Sequence, residues 1–211
     1  MTSTKQLNKI TLKGSAAIVS EFFFYGINNI LYQRGVYPPE MFKQEKKYGL
    51  TILVTTDEGL LTYLKDNILP QLTAIVCNLT EWLEKGAVRR LVVVIRESET
   101  NETLERWQFE IQSDEEQKNS NNPPKPKDVN TINSEIRAVI RQITATVTFL
   151  PLLETPCSFD LLFYTDKNLE APSQWEDSSA CLITNSEEVK LRSFSTSVHR
   201  VDGAVSYKFS M

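Results

Sequence analysis

The run Leu91–Ile95 reads Leu-Val-Val-Val-Ile, five consecutive apolar residues of which four are β-branched. Such a run is a buried-type strand, because a half-exposed strand would alternate between apolar and polar residues. The stretch Leu104–Ile111 does alternate, placing Trp107, Phe109 and Ile111 on one face. The polar, turn-like residues Glu97–Glu102 join the two runs into a hairpin. So apolar a pair of strands needs cover, and helices elsewhere in the chain are the source of it.

Apolar residues at Ala17, Val19, Phe22, Phe23, Ile27, Ile30 and Leu31 give Ser15–Leu31 the spacing of a helix with a wide buried face. The aromatic cluster Phe22–Tyr25 reads as core. Gly35 and Pro38–Pro39 then punctuate the chain, and Leu50–Thr55 is a short strand. Thr55–Glu58 starts a second helix running to about Lys85, with a kink or break expected at Pro70. Residues 113–128 have the composition of a flexible loop. A third helix is expected from Val129 to about Phe149, with its stripe at Ile132, Ile136, Val139, Ile143 and Val147. Residues 143–149 also fit a strand, being β-branched and alternating. The continuous helical phase from Ile132 favours helix. Phe159–Tyr164 is a strand. Beyond it, Ala180–Ile183, Val189–Thr196 and Ala204–Phe209 carry only weak strand signals, and a tail so marginal can pair in more than one register.

Composition excludes more than it identifies. The 211 residues carry a net charge of −4, against the basic excess usual in nucleic-acid binders. Arg89–Arg90 reads as a solvated strand edge. Cys77, Cys157 and Cys181 show no metal-binding spacing and fit a reducing compartment. No apolar run is long enough to span a bilayer, and the N-terminus does not read as a signal peptide. His199, the one histidine, lies in no recognisable serine or cysteine motif. Phosphate-cradling and HExxH patterns are missing. The residues alone thus define a non-enzymatic α+β domain with helices on an antiparallel sheet.

Longer words carry a resemblance. They are Gly14–Ala16, Glu21–Phe23, Tyr25–Asn28, Ile30–Gly35, Lys47–Thr51, Leu104–Phe109, Val139–Glu154, Ile183–Val189 and Leu191–Phe194. Together they span nearly the whole chain, and they resemble the mitotic arrest deficient-two proteins, the spindle-checkpoint branch of the HORMA domain. The resemblance implies an α+β fold, three main helices on an antiparallel sheet. It also implies one domain over 1–211, with a core at about 10–164 and a mobile C-terminal safety belt at about 165–211. In the family the belt occupies one sheet edge in an open state. In a closed state it crosses the sheet and locks a partner peptide against the strand matching Phe159–Tyr164, by β-augmentation.

The function implied by the resemblance is that of a spindle assembly checkpoint adaptor, which inhibits the anaphase-promoting complex through its activator. The alternative is another HORMA adaptor, of the meiotic-axis or translesion-polymerase type. Implied peptide-binding residues are Phe159, Leu161, Phe163, Tyr164 and Trp175. Dimer positions are Arg141, Gln142 and Phe149, with Arg34 nearby, and candidate phosphorylation sites are Ser178 and Ser186. A third such position falls on Gly203, which has no hydroxyl. Implied partners are a mitotic arrest deficient-one type kinetochore coiled-coil protein, the complex's activator, a second copy in open–closed dimers, and a remodelling AAA+ ATPase with its HORMA adaptor. No cofactor, nucleic acid or membrane is implied. The implied locations are nucleus, kinetochore and cytoplasm. Residues 73–79 are additional to the family's second helix: as two helical turns they would lengthen it by roughly 10 Å, or the segment bulges near Pro70, or it is a sequence artefact.

Overall fold

The computed structural model describes residues 10–59, 88–113, 127–165 and 178–209. Among these, two helices pack on antiparallel sheets. The first, α1, spans Leu12–Gln33. It starts earlier than its apolar stripe because Thr11 is an N-cap whose hydroxyl accepts from the Gly14 N–H at 3.1 Å. It stops at a Schellman turn: Gly35 takes φ +63°, its N–H reaches Tyr32 O, and Val36 N–H reaches Leu31 O.

A 3-10 turn at Pro39–Met41 leads into β1, Phe42–Lys47, which pairs with β2, Leu50–Thr55. The residue pattern reveals β2 but not β1, because Phe42–Lys47 is polar and largely exposed. Its strand character comes from the two-residue turn, in which Tyr48 and Gly49 both hold positive φ as a hairpin turn requires. Gly49 is also pressed by the Arg137 guanidinium, 2.7 Å from where a Cβ would stand, while Arg137 Nε donates to Tyr48 O at 2.5 Å.

The main sheet comprises β3 (Val88–Glu97), β4 (Thr103–Ser113), β5 (Cys157–Thr165), β6 (Ser186–Lys190), β7 (Phe194–Ser195) and β8 (His199–Lys208). Its order is β5-β3-β4-β8-β6, with β7 pairing β8. The expected hairpin is β3–β4, and all of Leu91–Ile95 is at most 1% exposed. The second described helix, α2, spans Val129–Thr146. Asp128 caps it, accepting from Asn130 N–H at 2.9 Å and Thr131 N–H at 3.0 Å. The Thr131 hydroxyl, at 2.7 Å, is the main reason the Asp128 carboxyl titrates below its ordinary range. Asp128→Ala should cost about 1 kcal/mol in a denaturant titration, the usual value of such a cap. The helical reading of 129–149 holds as far as Thr146; Val147–Phe149 form a turn, ahead of Pro151.

The core lies where α1 and α2 meet the sheet. Phe22, Phe23, Phe109 and Phe194 form one aromatic cluster with ring centroids 4.7–5.7 Å apart. Phe22 and Phe23 are therefore core, as expected. Buried amides tie the layers together. Asn28 accepts from the Thr55 N–H of β2 at 2.9 Å, and Asn29 donates to the Thr144 hydroxyl of α2 at 3.1 Å. The expected second helix is seen only at its start, residues 58 and 59. The Pro70 kink, the added segment 73–79 and most of the 113–128 loop lie outside the described residues.

Candidate functional site

The tail supplies the informative geometry. Of its three weak strand signals, Ala180–Ile183 forms no strand, and Cys181 there holds φ +47°. Val189–Thr196 divides into the end of β6 and the two residues of β7, while Ala204–Phe209 falls in the longer β8 except for Phe209, just beyond its end. β8 pairs with β4 over nine positions, from Glu105↔Tyr207 to Ser113↔His199. Two strands, β4 and β3, separate it from β5. On the other side, β5 pairs with β3 and ends the sheet order among the described residues. A terminal strand offers backbone donors and acceptors along its outer edge.

The side chains of β5 are committed to its two faces. Phe159, Leu161 and Phe163 share the face toward the core; Phe159 is buried and its ring lies 6.1 Å from that of Tyr37. Tyr164 falls on the other face, where the Arg90 guanidinium sits 5.4 Å from its ring centroid and also pairs with Glu110 at 2.5 Å. Arg90 is thus engaged rather than a bare solvated edge. Trp175 lies outside the described residues.

The expected dimer positions divide. Arg141 is exposed on α2, and Phe149 is 54% exposed beyond the helix end. Gln142, on the same helix, grips the tail backbone: its amide donates to Lys190 O at 3.1 Å and accepts from Arg192 N–H at 2.6 Å. Arg34 corrects the expectation of a surface contact. It is buried, bonded through Nε to Glu105 at 2.8 Å and through Nη2 to Pro151 O at 2.5 Å. Glu105 also accepts from Trp107 Nε1 at 3.0 Å. Arg34 therefore reaches the Phe149 neighbourhood only through the backbone at Pro151. The physical reason is its place at the end of α1, directly beneath β4.

Ser178 and Ser186 are both exposed, Ser186 as the first residue of β6. Gly203 sits opposite Phe109, where a Cβ would lie 3.2 Å from both Leu191 Cδ1 and the Phe109 ring. Gly203→Val should weaken the tail's pairing by about 1–3 kcal/mol through overpacking, seen as faster amide exchange in β8. The one histidine is a packed residue, buried at the start of β8. His199 Nδ1 lies 2.6 Å from Ser15 Oγ, a partner from α1 that no local motif could reveal. Both side chains are sealed, at 1% and 0% exposure, so the pair cannot meet a substrate. Among the described residues no group of three acidic, histidine or cysteine side chains could hold a metal, and no helix is long and apolar enough to cross a membrane.

An α+β layering of two helices on antiparallel sheets is shared with known proteins. The HORMA domain family model matches residues 15–199. The human mitotic spindle assembly checkpoint protein MAD2A is 57% identical over 199 residues, covering 94% of this chain and 93% of that protein. The chain belongs to the MAD2 family of HORMA-domain proteins. The fission yeast member, mitotic spindle checkpoint component mad2, is 43% identical over 208 residues, or 99% of this chain and 98% of its own length. A chain in the crystal structure of the mitotic checkpoint complex superposes with a TM-score of 0.78 at 43% identity, covering 93% of this MAD2-family chain and 99% of that one. The worm protein HTP-2, bound to the HIM-3 closure motif, shares the fold at a TM-score of 0.68 and 12% identity, with 96% and 93% covered.

Proposed function

We propose that this MAD2-family chain is a spindle assembly checkpoint adaptor that traps short partner peptides between β5 and a C-terminal belt at about 165–211. It would thereby sequester the activator of the anaphase-promoting complex and inhibit that complex. The observation that carries the reading is the placement of β8 on β4. With the tail committed to one end of the sheet, β5 at the other end is the strand for a partner to extend. On this reading the arrangement would be the family's closed state. The reading is supported by 57% identity to a human checkpoint protein. The translesion-polymerase alternative has a weaker basis, 26% identity over 175 residues to the fission yeast DNA polymerase zeta processivity subunit.

The whole chain acts as one HORMA domain on this reading. Its partners are a mitotic arrest deficient-one type coiled-coil protein at the kinetochore, the activator, and a second copy meeting Arg141 and Phe149. Release falls to a remodelling AAA+ ATPase with its HORMA adaptor. Gln142 has a share in the dimer face and a share in holding the tail. The sites of action are kinetochore, nucleus and cytoplasm.

Binding by β-augmentation depends on the peptide's backbone. A labelled activator peptide should be retained by the full chain. The same peptide N-methylated at alternate amides should bind at least about a hundredfold more weakly, because each lost backbone bond to a buried partner is costly. No retention, or equal retention of both peptides, would falsify the reading.

A further inference from the structure

Ser15 Oγ stands 2.5 Å from Thr196 Oγ1 and 2.6 Å from His199 Nδ1, and all three residues are at most 1% exposed. Ser15 comes from the first turn of α1; the other two bracket the turn between β7 and β8. That turn is tight. Thr196 N–H donates to His199 O at 2.9 Å, His199 N–H donates to Thr196 Oγ1 at 2.9 Å, and Ser197 holds φ +73°. From the other side, Glu135 of α2 accepts the Ser195 N–H at 3.0 Å while Lys127 Nζ pairs with Glu135 at 2.6 Å. Ser197 Oγ accepts from Lys127 N–H at 3.0 Å. Phe194 plugs the core beside this turn, its ring 4.7 Å from Phe22.

We infer that Ser15, Thr196 and His199 form a polar latch that positions the tail across the sheet. On the trapping function proposed above, the latch sets how long a captured peptide stays, although it touches no peptide. Apolar attraction is non-directional, so it opposes only weakly a slip by two residues, which keeps every side chain on its own face. Three buried polar groups oppose it strongly, because each is costly when unpartnered. A slip of β8 by one residue would turn His199 to the other face of the sheet. A tail placed elsewhere would leave Ser15 without both of these partners. The latch therefore selects one placement of β8, which two strands, β4 and β3, separate from the β5 edge.

The variants Ser15→Ala and Thr196→Val remove a hydroxyl with little change of shape, and Thr196→Ser restores one. Hydrogen exchange on the full chain, read peptide by peptide, tests the idea without a ligand. Amides of 196–208 should lose about tenfold in protection in Ser15→Ala and Thr196→Val. Those of β3 should keep theirs, and Thr196→Ser should behave as the parent. A fluorescein-labelled activator peptide should leave the two weakened variants about tenfold faster. Unchanged tail protection, or an equal loss in β3 and β8, overturns the latch. Tail protection lost with an unchanged peptide off-rate overturns its link to residence time. Failure of the parent chain to hold the peptide defeats the trapping function instead, while exchange still decides the latch.

Discussion

Glu105→Ala should destabilise the protein by about 3–5 kcal/mol, a large share of the roughly 5–15 kcal/mol that holds a domain together. Glu105 is 2% exposed and serves Arg34 and Trp107 Nε1 at once. Its removal leaves a guanidinium that still donates to Pro151 O but has lost the carboxylate balancing its charge, and an indole N–H without its acceptor. Burial of an uncompensated charge, rather than loss of attraction, sets the size of the effect. The double variant Arg34→Met with Glu105→Leu should recover much of the loss, since an apolar pair of similar bulk needs no partner. Urea midpoints of the three proteins measure this. A loss below about 1 kcal/mol for Glu105→Ala would mean that the pair is solvated.

A chain lacking Val201–Met211 should lose retention of the activator peptide entirely. β8 supplies the buried residues Val201, Val205 and Tyr207 and the whole partner ladder of β4 from Glu105 to Ile111. Without it the tail has no anchor at the far end of the sheet, and nothing closes over a peptide laid on β5. Because removing a strand can also unfold the rest, Val205→Asp provides a second test. Val205 is 0% exposed, so a carboxylate there should detach β8 while leaving the chain at full length. Circular dichroism should retain the helices in that variant as peptide capture disappears. Equal capture by the parent, the shortened chain and Val205→Asp would exclude the belt mechanism.

Periodicity made the framework legible. The apolar run at Leu91–Ile95, the alternation to Ile111 and the stripe from Ile132 each encode burial directly, and each became the expected element. β1 was not legible, because Phe42–Lys47 is a strand by virtue of a turn rather than of its own pattern. Nor was the break after Lys190, where Leu191 still donates its N–H to Gly203 O but Arg192 turns its N–H to Gln142. The residue pattern at Phe159–Tyr164 located β5 and the family words the α2 face, yet neither could place Arg34. A surface arginine and a buried one look alike until Glu105, distant in sequence, is brought beneath it. The same applies to Ser15 and His199, whose partnership exists only once both ends of the chain are folded.

The register that joins Ser113 to His199 and Glu105 to Tyr207 has a kinetic corollary. The β3–β4 hairpin closes across a few residues, whereas β4 meets β8 only after a loop of nearly half the chain has been brought round. Contacts that distant are slow to form, because the chain must search before any of them is rewarded. Completion of the sheet at this edge should therefore lag behind the hairpin in refolding. A newly made molecule would pass through an interval in which most of its core exists and the β4 edge is still vacant.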